Sequence, residues 1–216
     1  MTSESKLRGV FARPEPRHRE ESGIEFASIV AFSDGVFAIA ITLLVLAFQI
    51  PENSPDVVHS LLNQKGDVFA YALSFAVLGR LWLAHHRFFS VLERFDGTLM
   101  GLNLLYLAWI VLVPFTSEVL GDYGDQSAGV ILYAGVMFGV SATFGVQVAY
   151  SYRAGLVKPE LEPVEHRYAG TASFIVAAVF LASIPVALVA PDIAPLMWLV
   201  VFFSGYRIAR LLGGET

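Results

Sequence analysis

Six apolar runs, each long enough to cross a bilayer as a helix, constrain this chain more than any other feature. A membrane-crossing helix needs roughly 20 mostly apolar residues, because the hydrocarbon core is about 30 Å thick and a helix rises about 1.5 Å per residue. Residues 27–50, 67–90, 98–118, 128–150, 169–190 and 193–209 meet that requirement. The last run is the shortest, and Pro191 and Pro195 join it tightly to the fifth. The runs are continuous rather than alternating, which argues against a membrane β-barrel. The expected fold is an all-α membrane protein of six transmembrane helices, spanning residues 26–211. Residues 1–25 form a polar amino-terminal arm and residues 212–216 a short tail. Composition agrees: 56% of the residues are hydrophobic and 15% charged, where a soluble domain carries about a quarter charged residues.

Orientation follows from the basic residues, which favour cytoplasmic loops. Lys6, Arg8, Arg13, Arg17 and Arg19 lie in the arm, and Arg87 and Arg94 near the second connection. Arg153, Lys158 and Arg167 flank the fourth connection, and Arg207 and Arg210 the carboxyl end. The opposite side holds Lys65 against Glu52, Asp56, Asp67, Glu118, Asp122, Asp125 and Asp192. An even number of spans with this bias puts both termini in the cytoplasm. The arm has no apolar core long enough for a signal peptide and is expected to be largely disordered. With no cysteine in the chain, disulfides, thiolate metal sites and a catalytic thiol are excluded. The spans show no internal repeat, so a symmetric pathway would have to come from association of several chains.

Ionisable groups inside a span are costly and mark functional candidates. Asp34 lies about two turns into the first span, roughly 10 Å deep. The second span runs the opposite way and carries Arg80, Trp82, His85, His86 and Arg87. Its histidines and Arg80 bracket the depth of Asp34, and Trp82, His85 and His86 recur at i, i+3, i+4 spacing. A polar cluster joining Ser33 and Asp34 to this set, or to Arg80, would satisfy groups that lipid cannot. Such a cluster acts either as a clasp between two helices or as a proton relay, since histidine titrates near neutral pH. A metal site is not expected, because adjacent histidines diverge on a helix and His18, His59 and His166 are scattered. Gly135 and Gly139 have the GxxxG spacing that permits close helix packing, and Pro185 is expected to kink the fifth span. Ser141 in Gly139-Val140-Ser141-Ala142 superficially resembles a membrane serine-protease motif. A nucleophile needs a nearby general base, and residues 169–190 and 193–209 contain no histidine, so no enzyme is expected.

Ile39, Leu43 and Leu46 form a narrow apolar stripe on the first span, with Thr42 beside it. Asp34 precedes Ile39 by five residues, about 140° around the helix. If the carboxylate points into the protein, the stripe points elsewhere, toward lipid, another helix or another chain.

Phe32-Ser33-Asp34-Gly35, followed by Ala38-Ile39 and Thr42-Leu43-Leu44, resembles the first-helix signature of the bacterial transmembrane protein 175 family. The run Leu81-Trp82-Leu83-Ala84-His85-His86-Arg87-Phe88-Phe89 and the six-span layout are similar too. The resemblance implies a multi-pass, potassium-permeable channel of the cell membrane, a homotetramer whose first helices line a central pore. It places Ile39, Leu43 and Leu46, with Thr42 adjacent, as aliphatic constriction rings. Ser33 and Asp34 would join the polar residues of the second helix in holding the pore helix. The implied partners are potassium ions, membrane lipids and further copies of the chain, with no cofactor and no nucleic acid. No TVGYG-type filter is present. Ser28 stands where the family usually has an Arg four residues before the Phe of the motif, which bears on gating. The competing function is a proton-coupled transporter or proton pathway using Asp34 with His85 or His86. Against it, the sequence shows no broken helix pair or inverted repeat, which many secondary transporters have.

Overall fold

The computed structural model describes residues 16–48, 65–159 and 163–199, with side chains placed for 26–48, 65–159 and 169–199. Within these residues helices make up nearly all of the chain, with one isolated β-bridge in the connections. Helix α1 runs Pro16–Leu43 and tightens into a 3₁₀ turn at Leu44–Ala47. It is followed by α2 (Lys65–Ser90), α3 (Gly97–Tyr123), α4 (Ser127–Arg153) and α5 (Pro163–Val189). Five segments among the described residues are long and apolar enough to cross a membrane. Of the expected sixth span, 194–199 is helical and 200–209 lies outside the described residues.

The helices extend beyond the apolar runs because hydropathy marks the part in hydrocarbon, not the part that is hydrogen-bonded. Helix α1 begins at Pro16, a residue suited to a first helical turn, whose N–H groups lack intrahelical acceptors. Residues 16–25, part of the polar arm expected to be largely disordered, are thus helical. Helix α3 starts where the Asp96 carboxylate accepts from the Leu99 N–H at 2.8 Å, a side-chain cap on an otherwise orphaned donor. It continues past the apolar run to Tyr123. Pro114 and Pro185 lie inside α3 and α5 without ending either helix.

Helix α4 is the centre of the subunit. Two thirds of its apolar window (67%) is buried, against 22% for the first and fifth spans. A Cβ at Gly139 would lie 2.6 Å from the Trp109 ring of α3, so this glycine sets the α3–α4 approach. Gly135, at the other end of the GxxxG spacing, faces open space. Ser141 is buried, and its hydroxyl has no hydrogen-bond partner among the described residues. Trp198 stacks on Tyr133 of α4, with centroids 5.0 Å apart, and donates its indole N–H to Ser183 Oγ at 3.0 Å.

The α2–α3 and α4–α5 connections are stitched together at one end of the bundle. Leu92 and Val157 form an antiparallel bridge. The Glu93 N–H donates to Leu156 O at 2.8 Å, and the Lys158 N–H to Val91 O at 3.0 Å. Gly155 turns the chain into this bridge at φ +65°, a conformation that side chains bearing a Cβ disfavour. Tyr150 adds a 2.7 Å hydrogen bond from its hydroxyl to Asp96 Oδ2.

Candidate functional site: a polar clasp behind an outward aliphatic stripe

Two faces of α1 carry opposite chemistry. Ser33, Phe37, Ala40 and Leu44 recur at i, i+4, i+7, i+11 and are all buried, so this face meets the subunit core. The Ile39 stripe lies across the helix from it. Ile39 is 60% exposed, Leu43 41% and Leu46 66% in the isolated subunit. Thr42 is exposed as well, and its hydroxyl donates to Ile39 O at 2.8 Å. The 3₁₀ turn that follows brings side chains three apart into line, which extends the stripe from Leu43 to Leu46.

The inward face is held by two sets of hydrogen bonds. In the first, Trp82 Nε1 donates to Asp34 Oδ1 at 2.8 Å, joining α2 to α1. In the second, the Ser33 hydroxyl donates to Ile29 O at 2.9 Å. Having given its proton away, Ser33 Oγ accepts from Asn103 Nδ2 at 3.1 Å. The amide oxygen of Asn103 therefore faces His85, whose Nε2 donates to it at 2.9 Å. The proton on His85 is thus assigned to Nε2 by the rest of the chain of bonds. Three helices meet in this chain, and Ser33, His85 and Asn103 are each at most 1% exposed. The His85 ring stacks on Tyr106 (5.4 Å, 3°) and packs against Phe89 and Phe37 at 4.4 and 5.5 Å. A polar thread wrapped in aromatic rings is satisfied internally, as a site remote from water requires.

Of the residues expected to cluster, Ser33, Asp34, Trp82 and His85 are brought together. His86 is exposed, and its ring lies beside Trp82 at 5.8 Å. Arg80 is exposed on another side of α2 and makes no ion pair among the described residues. The expectation that Arg80 joins Asp34 fails for a geometric reason. Two residues along a helix rotate the side chain by about 200°, so Arg80 and Trp82 point nearly opposite ways. Asp34 and His85 share no hydrogen bond, each having its own partner. Asn103 was missed by the sequence reading. Its only signal is being the sole amide within the apolar run 98–118.

Five long apolar helices among the described residues define a multi-pass membrane protein, whose first helix ties a carboxylate back into the subunit and leaves an aliphatic stripe exposed. A sequence profile described as endosomal/lysosomal potassium channel TMEM175 matches residues 28–114. A potassium channel of Streptomyces collinus is 40% identical over 126 residues, covering 56% of this chain and 61% of that one. The chain thus spans about three fifths of that relative's length. A potassium channel of Marivirga tractuosa is 30% identical over 188 residues, covering 76% of this chain and 73% of its own. Among solved structures, the lysosomal potassium-selective channel TMEM175 homolog from Chamaesiphon minutus superposes with a TM-score of 0.72 at 25% identity. That match covers 88% of this chain and 99% of that one. The chain belongs to the TMEM175 family, and it is a multi-pass membrane protein.

Proposed function

We propose that this protein is a passive, potassium-permeable channel of the cell membrane, formed by four copies whose α1 helices surround a central pathway. Ile39, Leu43 and Leu46 narrow that pathway, with Thr42 beside them. Both termini lie in the cytoplasm, as the basic loops indicate. The arm at 1–25, the membrane domain at 26–211 and the tail at 212–216 complete the organisation. The observation that carries this reading is the division of α1. Ser33 and Asp34 are hydrogen-bonded within the subunit, while the stripe of Ile39, Leu43 and Leu46 is left outward.

Rings of aliphatic side chains gate by expelling water, so a small tilt of α1 closes the path. Selectivity then favours the cation that sheds water more readily, giving moderate discrimination of K⁺ over Na⁺. Ser33, Asp34, Trp82, His85 and Asn103 hold the pore helix and do not contact the ion. The proton-pathway alternative finds less support, because Asp34 and His85 share no hydrogen bond.

Flux from liposomes containing the purified protein tests the reading. Passive K⁺ flux exceeding Na⁺ flux is expected, running with the electrochemical gradient and independent of a proton gradient. Flux that saturates like a carrier and requires a proton gradient would overturn it, as would no cation flux at all. Ile39→Asn is expected to wet the constriction and shift the K⁺/Na⁺ permeability ratio toward unity.

A further inference from the structure

Arg80 is a charged side chain left outside the polar clasp. It sits ten residues before the end of α2 at Ser90, about 15 Å inside the bundle end, and it is exposed on the subunit surface. Hydrocarbon does not solvate a guanidinium, so an arginine at this depth requires oxygen ligands. It cannot fetch them from the nearer interface unaided. Helical side chains lean toward the helix N-terminus, which for α2 is the far side, and the near interface lies beyond the reach of an arginine.

The same flank of α2 carries Arg87, also exposed. Seven residues are close to two full turns, which aligns it with Arg80 about 10 Å nearer the end. Lys158 is brought beside the end of α2, its Nζ donating to Ser90 O at 2.7 Å. Between and beyond the two arginines the flank is apolar: Leu83 and Phe69 are 47% and 44% exposed, with the small Ala76 between them.

We propose that this flank is a binding site for an anionic phospholipid. The phosphodiester sits on Arg87 and Lys158 at the bundle end. Arg80 is satisfied by the glycerol-ester oxygens drawn down along the helix, and an acyl chain lies over Leu83, Ala76 and Phe69. The arrangement matches a phospholipid in order, with cations at headgroup level, one cation below them and an apolar track deeper still. The proposal is independent of ion conduction and needs only the membrane-spanning fold.

The test uses purified full-length protein in neutral detergent, titrated with phosphatidylglycerol or phosphatidylcholine and followed by thermal unfolding and native mass spectrometry. Phosphatidylglycerol is expected to raise the melting temperature by several degrees and to remain bound in the spectra, where phosphatidylcholine does neither. The double variant R80Q/R87Q is expected to lose that shift while keeping its lipid-free melting temperature and oligomeric state. Equal responses of the unmodified protein to the two lipids overturn the proposal. So does dissociation of the oligomer by Arg80→Gln in the absence of lipid, which places Arg80 against a second copy of the chain.

Discussion

Asn103 is the residue on which the first three helices depend together. Its amide accepts from His85 and donates to Ser33 in an environment that offers no water. Replacing it with Leu orphans the buried His85 Nε2–H, worth about 1–3 kcal/mol of desolvation, and leaves Ser33 only its bond to Ile29 O. Asn103→Leu is therefore expected to lower the melting temperature of the detergent-solubilised protein sharply. Adding His85→Leu is expected to restore part of the loss, because a partnerless pair replaced by apolar groups costs less than one orphan. If the double variant is worse than the sum of the two single variants, the hydrogen-bonded pair is not the cause. At Trp82, the change to Phe removes the donor to Asp34 but keeps the ring, at an expected cost of about 1.5–3 kcal/mol for a bond to a charged acceptor. Asp34 and the Trp82–His85–His86 run were legible in sequence because polar groups at membrane depth stand out against apolar neighbours. Asn103 was not, because its partners are fixed by the rotation of three helices, which no single helix encodes. The same limit explains Arg80: its depth was readable, but its azimuth ruled out the partner assigned to it.

At the scale of elements, the apolar runs located the helices and the caps decided where they end. Asp96 is the plainest case. Its carboxyl is held below the ordinary carboxylate range by the Leu99 N–H first and the Tyr150 hydroxyl second. A depressed folded-state value contributes stability above the unfolded pKa, near 3.9, and loses it as pH falls through the folded value. Asp96→Ala is expected to cost about 1 kcal/mol at neutral pH, the usual size of a lost N-cap. The deficit should shrink toward zero in melts taken below pH 4. A deficit unchanged by acid would mean that the carboxylate is not the stabilising group. Helix packing gives a second test. Gly139→Leu drives a side chain into the Trp109 ring and is expected to cost about 1–3 kcal/mol, while Gly135→Ala, facing open space, should leave the melting temperature within a degree or two. GxxxG spacing was visible in the sequence, but which of its two glycines is in contact depends on where α3 crosses α4.

For the whole molecule, the legible part was the bundle of hydrophobic spans and the two-faced first helix. Depth and periodicity are one-dimensional properties, so sequence carries them well. The number of copies in an assembly and the direction in which the stripe faces there are properties of several chains together, which the sequence of one chain does not encode. The proposed channel turns on Ile39, Leu43 and Leu46 lining the ion path. Because the chain has no cysteine of its own, single substitutions report cleanly. The direct measurement is potassium current through reconstituted Ile39→Cys, Leu43→Cys and Leu46→Cys channels exposed to Ag⁺, a small thiol-reactive cation, with Leu104→Cys on α3 as the control. Irreversible block at all three stripe positions and none at the control is the predicted result. Currents unchanged by Ag⁺ at 39, 43 and 46 would place the stripe away from the ion path.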